Sequence, residues 1–571
     1  MNVATKIEDS FAAYDADLAV LRKNAQRWAD TGIAERIAVL EEIRNRTADI
    51  AQGWAETAAR KKLLAAGSPL VGEEWFSGPY AVMSMCEGLI NTLSQMEGRA
   101  FLSGLKKRTL PGGQLAVRVM PDQIWDHLLY SGVSAEVWMQ DGVTAANLAE
   151  HTASSYSGPR EGRVALVLGA GNIASISPLD CFQKLFVEHQ VVLLKMNPVN
   201  DYLTDYLQVA LKPLIDFGAL RIVNGDGAAG AYLTQHSAVE EIHITGAGAT
   251  HDLIVWVPGS EGAKNKSAGT PKNKRRITSE LGAVCPTIVV PGPWSASDIR
   301  FQAEHIATQK LHNSGFNCVA CQVLVMPSEW EHKDALLEAV KREISKNRRL
   351  PYYPGAQERL DDFASQGDGE LVARGDAPAL PIRSAADAAG EYHAETEVFA
   401  PALSVKELNG DGAAYLRSAI AYANDVLHGT LGANVLIHPS TMRAIGKRRF
   451  DEILTELRYG CIAVNAWTGV GFLLTRTPWG AFPGHALDDV QSGIGVVHNS
   501  FMFDRSERTV VRGPWAPFPR SLTVGEFSLL PKPPWFITHR RGHRVAKGLI
   551  GFLRKPRVWR LPGIILNAMR G

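Results

Sequence analysis

The stretch HNSGFNCVACQVLV, residues 312–325, puts two thiols, Cys318 and Cys321, three positions apart behind a small glycine-containing turn. The apolar run after them reads as a buried strand. Three chemistries use such a pair. Zinc needs a second pair of ligands at metal spacing, and Cys86, Cys181, Cys285 and Cys461 stand alone, so no metal is expected. A thioredoxin-type pair opens a helix, whereas this one leads into a strand. A nucleophile needs a base, an oxyanion donor and a substrate pocket.

A second candidate is LGAGNIAS. Gly169, Gly171 and Ala174 fit G-x-G-x-x-A directly after the strand-like RVALVL, which is the dinucleotide fingerprint in its proper context. The next strand-like run, VVLLK, ends in Lys195 instead of the acid that usually binds ribose hydroxyls. A tight strand-to-helix turn without a ligand explains the glycines equally well.

These residues need elements to hold them. Residues 1 to about 65 repeat apolar side chains at helical spacing. From 163 to 246, buried strands alternate with helical stretches, which implies βαβ units and a parallel sheet. GSEGAKNKSAGTPKNKRR, residues 259–276, reads as an exposed loop. A second α/β stretch runs from PTIVVPG to CIAVNAW, and prolines crowd the chain beyond about 505. Residues 66–160 are harder to read: AAGSPL and LPGGQL are turn-like, and YAVMSMCEGLINTL reads as a buried helix. The expected fold class is therefore α/β.

Composition narrows the setting. At 571 residues the chain should hold roughly three or four structural units. Its 46% hydrophobic and 21% charged residues are those of a globular protein. Sparse cysteines point to a reducing compartment. The first residues form no apolar leader core, and no run reaches the ~18 apolar residues of a membrane span. A cytoplasmic protein is expected. The net charge of +1 conceals an asymmetry: ten Lys and Arg follow Glu526 with no acid among them, leaving −9 on residues 1–526.

Read together and in order, the motifs resemble the aldehyde dehydrogenase superfamily over roughly residues 160–500. NSGFNC resembles the family's nucleophile segment, so Cys318 falls on the catalytic thiol. SELGAVCP resembles the Glu-Leu-Gly-Gly segment, with Glu280 on the general base. GAGN stands where the family has its oxyanion-binding Asn, here Asn172. VVLLK brings Lys195 to the adenosine ribose, and IVNGDG and HITGAG bring Gly225, Thr245 and Gly246 to the dinucleotide. ETEVFAP puts Glu397 on the nicotinamide ribose and Phe399 beside the ring. AVNAW and PWGAFPGH follow in the family's order.

The resemblance implies a modified Rossmann cofactor domain plus a second α/β catalytic domain. The expected divisions are 1–279, 280–478, a return segment for cofactor domain or oligomerisation at 479–526, and a basic tail at 527–571. It further implies a homo-oligomer that oxidises a small-molecule aldehyde through a Cys318 thiohemiacetal and thioester, with the thiol held below its usual pKa near 8.5. The family's Asn motif keeps only Asn172, and the ribose-binding acid after the Lys is Pro198, which removes repulsion of a 2′-phosphate. The expected cofactor is NAD or NADP.

The tail interleaves basic and apolar residues. It suits peripheral membrane contact at a membrane's inner face, and hence a lipophilic aldehyde. The alternative is a basic arm packed on the subunit or an oligomer partner. No nucleic-acid module is visible. Two rival functions stay open: a CoA-dependent acyl reductase on the same fold, and a membrane-associated binding protein that has lost catalysis.

Overall fold

A computed structural model describes residues 3–386 and 390–571, with side chains from Phe11 onward. Two sheets organise the chain. In the smaller, five parallel strands lie in the order Arg276–Leu281, Glu241–Gly246, Val164–Leu168, Val191–Lys195 and Leu220–Val223, with the short strand Gly493–Ile494 antiparallel at one edge. The strands VALVL and VVLLK are apolar except for the terminal Lys195 because helices cover both faces of a parallel sheet. The C-terminal ends of these strands carry Asn172, Lys195, Gly225, Thr245 and Glu280, or the turns that hold them.

The larger sheet has eleven strands. Its centre is parallel and includes Pro286–Val289, Val323–Pro327, Gly432–Leu436 and Cys461–Val464. One end continues through Ser506–Arg512 into an antiparallel arm of Ser134–Met139, Leu115–Met120 and Lys106–Thr109. Residues 66–160, hard to read in sequence, contribute three strands, and the buried helix expected there is present as Ala81–Ser94.

The stretch expected to be a loop holds the helix Gly259–Ser267. Glycine and charge argue against a helix there, yet Gly262 is needed: a Cβ on it would collide with the Val257 carbonyl.

The tail folds back on its own chain. Helix Gly542–Arg554 buries Val545, Ala546, Leu549, Ile550 and Phe552 against Ala51, Ala55, Trp75, Phe76 and Met83. Its backbone comes so close that a Cβ on Gly72 would lie 2.6 Å from the His543 nitrogen. Helix Leu561–Ala568 packs on it through Leu561 and Ile564. Arg554 meets Asp49 at 2.6 Å and Lys547 donates to Gln52 at 3.0 Å. The apolar face expected to enter a bilayer is therefore occupied by the chain's own core. Val558, Trp559, Leu566 and Met569 stay exposed. Among the described residues no helix is long and apolar enough to cross a membrane.

Candidate active site

Helix Ala296–Leu311 starts on a Ser295/Asp298 capping box and aims at the site. It ends in three consecutive left-handed residues, Asn313, Ser314 and Gly315, with φ of 53°, 58° and 84°. Two of these are not glycine, a conformation that persists only where the surroundings fix it. Here they do. The Asn313 N–H donates to Glu73 at 2.9 Å, its side-chain amide donates to the Phe316 carbonyl at 2.9 Å, and Asn317 donates to the His312 carbonyl at 2.7 Å. Gly315 is required for space as well, since a Cβ would meet the Ala400 carbonyl group at 2.9 Å. Arg349 pairs with Glu73, and Lys62 pairs with Glu74 at 2.9 Å, all four at most 4% exposed. Burial pushes Glu73 up, but Arg349 and His312 outweigh it and hold its carboxyl below the ordinary range.

This turn delivers Cys318 half-buried, while Cys321 disappears into the core beside Leu324 and Ala307. The two thiols thus have separate environments. The Cys318 thiol faces the Glu280 carboxyl at the end of strand Arg276–Leu281, closely enough for each to shift the other. Burial pushes Glu280 up to about 7, Asp180 pushes in the same direction, and hydrogen bonds from Cys318 and Trp479 oppose them. The Trp479 indole N–H reaches Glu280 Oε1 at 3.1 Å. The expectation of a depressed thiol pKa is corrected. Burial raises Cys318 well above its ordinary value, and Glu280, Cys285 and Glu397 add to the rise. The named neighbours are acids and a thiol, and none is a cation.

Asn172 is buried, and its amide donates to the Phe316 carbonyl at 3.1 Å. Its own carbonyl accepts from Asn313 at 3.3 Å and Tyr352 at 3.1 Å. Asn172 is thus stitched to the loop that carries Cys318, two residues before the thiol. GAGN serves close packing: a Cβ on Gly171 would meet the Tyr353 hydroxyl at 2.5 Å.

The remaining candidates divide between two places. Lys195 lies beside Gly225, where a Cβ would be 3.7 Å from Lys195 Cε. Burial lowers the Lys195 pKa against the pull of Asp226. Asp226 itself caps helix Gly227–Gln235 through the Ala228 and Ala229 N–H groups. Glu397 lies on the far side, against Gly282, where no Cβ would fit. Burial and then Glu280 push Glu397 up to about 8, with Lys310 opposing, and its Oε1 is buried without a partner. Phe399 packs 5.2 Å from Tyr353 and 5.7 Å from Phe316. Gly246 is exposed at its strand end. The Thr245 hydroxyl donates to Asp180 at 2.8 Å, so it is engaged inside the protein. Among the described residues no cluster of His, Cys, Asp or Glu suits a metal ion.

Sequence reasoning missed Asp180, which is 1% exposed with Oδ1 unpartnered. The signal was an acid inside the apolar helix ISPLDCF. It also missed the roles of Trp479, Glu73 and Trp535. The Trp535 ring, from the tail, packs against the same apolar cluster as Cys318 and Phe472.

Residues 192–350 match the model described as the aldehyde dehydrogenase family. The fold is that of solved aldehyde dehydrogenases. The NAD-dependent aldehyde dehydrogenase of Sinorhizobium meliloti is 17% identical, covering 88% of this chain and 87% of that one, with a TM-score of 0.55. The aldehyde dehydrogenase KauB of Pseudomonas aeruginosa is also 17% identical, covering 88% and 89%, with a TM-score of 0.57. An indole-3-acetaldehyde dehydrogenase solved with NAD+ is 18% identical, covering 88% of both chains, with a TM-score of 0.56. The family match thus covers the middle of the chain, and over most of its length the fold is that of aldehyde dehydrogenases.

Proposed function

We propose that the chain is an NAD(P)-dependent aldehyde dehydrogenase that oxidises an aldehyde to a carboxylic acid, with Cys318 as nucleophile and Glu280 as general base. One observation carries the reading. A half-buried thiol on a rigid turn faces a carboxyl that titrates about 7, with no metal-ligand cluster beside them among the described residues. A base poised near neutral pH both accepts and releases protons efficiently.

The steps follow from that pair. Glu280, as carboxylate, takes the thiol proton as sulfur attacks the carbonyl carbon, and the C–S bond forms. The second N–H of the Asn172 amide and the Cys318 backbone N–H are the donors proposed for the developing oxyanion. A bound nicotinamide supplies the acceptor for the hydride lost from that carbon. Cys318 is left as a thioester, and Glu280 passes its first proton to solvent. It then takes a proton from water as the water oxygen attacks the thioester carbonyl. The C–S bond breaks, sulfur recovers a proton, and the acid leaves.

The residues present fit a dinucleotide. The orphaned Glu397 Oε1 lacks a hydrogen-bond partner such as a ribose hydroxyl would provide. Lys195 beside Gly225 offers a cation where the backbone permits close approach. Pro198 leaves NADP admissible alongside NAD. All six cysteines are free, which supports a reducing, cytoplasmic setting.

The test is an aldehyde panel with NAD and with NADP, read by absorbance of the reduced cofactor, for wild type and Cys318→Ala. Reduction by wild type alone supports the proposal. Reduction dependent on CoA and an acyl thioester, in the reverse sense, favours the reductase. No turnover with any aldehyde favours the binding protein.

A further inference from the structure

We propose that the C-terminal arm roofs a chamber for the hydrocarbon portion of the substrate, so that the aldehyde taken is a long-chain, unbranched, apolar one. This rests on the aldehyde oxidation proposed above. A cavity of about 710 Å³ lies between the arm and the body of the chain. That volume is within the range of small-molecule sites, roughly 300–1,000 Å³. Val119, Leu129 and Leu474 line it from the body, and Leu549, Phe552 and Ile564 line it from the arm. Its mouth carries Leu529 and Met569, both exposed. A mostly apolar lining suits a hydrocarbon chain, and its Glu87 is paired with Arg44. The Arg476–Asp126 pair at one side is internally neutralised at 2.6 Å.

The chamber is linked to the thiol through one shared residue. Trp535 lines it and also packs in the apolar cluster that holds Cys318. Phe472, on the same short helix as the lining residues Leu473 and Leu474, packs against that cluster and against Ile173 and Ile176 beside Asn172. Its ring lies 5.5 Å from Trp479, which holds Glu280. Trp535 is thus the chamber wall that also belongs to the Cys318 cluster, against which Phe472 packs as well. The Trp535 indole N–H is buried without a partner, a donor available to a polar atom passing that wall. The basic residues of the arm hold the roof in place: Arg554 and Lys547 tie it to the N-terminal helices.

The experiment has two readouts on the full chain. The first is kcat/KM for straight-chain aldehydes from butanal to dodecanal. Each added methylene should raise it about fourfold until the chamber is full, the factor equivalent to burying one CH2. Leu129→Trp and Leu474→Trp, at partly exposed lining positions, should lower it for dodecanal at least tenfold more than for butanal. The second readout is binding of the fluorescent fatty acid cis-parinaric acid. Wild type and Cys318→Ala should bind it alike, and both Trp variants should lose it. Binding without aldehyde turnover would leave the chamber standing and defeat the enzymatic reading alone. Turnover indifferent to chain length, with parinaric acid binding unchanged in both Trp variants, would overturn the chamber.

Discussion

Trp479 gives its indole N–H to Glu280 Oε1 across 3.1 Å, while the same carboxyl faces the Cys318 thiol. Three elements distant in sequence thus converge on one thiol–carboxyl pair. The indole stabilises the carboxylate form, and burial opposes it.

That balance sets a pH dependence. Glu280 titrates about 7, so kcat/KM should rise through neutral pH as its proton is lost. Trp479→Phe removes a hydrogen bond that lowers the pKa. Its pH–rate profile should shift to higher pH, with activity recovered at alkaline pH. A profile that does not move would detach Trp479 from the base.

Glu280→Gln keeps the shape and removes the base. It should cost about 10²–10⁴ in kcat, measured in steady state, with the fold preserved by circular dichroism.

Asn172→Ala should lower kcat by about 10²–10³ if the amide binds the oxyanion. It also removes one of the two donors to the Phe316 carbonyl, so stability must be measured beside rate. A loss of stability with kcat intact would make Asn172 a positioning residue.

How much of this was legible in the sequence follows from how local each signal is. Cys318, Glu280, Asn172 and Lys195 sit in short motifs next to strands, and the apolar runs VALVL and VVLLK revealed the parallel sheet. Glu73 and Trp535 were invisible because their partners are far away in sequence: Asn313 for one, the Cys318 cluster for the other. The 259–276 stretch misled because its composition is that of a loop, whereas Gly262 lets the chain pack closely on the Val257 carbonyl at the start of a helix. The tail's basic and apolar interleaving suits a bilayer as well as it suits a neighbouring helix. Only the packing of Leu549 and Phe552 on Trp75 and Met83 distinguishes them.

The buried ionic cluster behind the nucleophile turn gives a stability prediction. Glu73→Ala leaves the buried Arg349 with Glu74 alone, at 3.6 Å, and frees the Asn313 N–H. It should destabilise the fold by about 3–5 kcal/mol in urea denaturation. Glu73→Gln, which keeps an acceptor for Asn313, should retain more activity than Glu73→Ala.

Glu397 gives the opposite sign. Its folded pKa is raised to about 8, so the folded state favours the protonated form. Stability is fully present below the ordinary carboxylate pKa and declines as pH rises from there through about 8. Glu397→Gln should raise Tm by a few degrees near the alkaline end of that window and leave it unchanged at about pH 4. If the Tm gain is equal at both ends, the burial of charge is not its cause.

The thioester on Cys318 is the most direct test of the account. Wild-type protein quenched in acid during turnover of an aldehyde with NAD or NADP should carry one acyl group, mapped by peptide mass spectrometry to Cys318 and absent from Cys318→Ala. Reduced cofactor forming at the wild-type rate in Cys318→Ala, or an acyl group mapped to another residue, would contradict it.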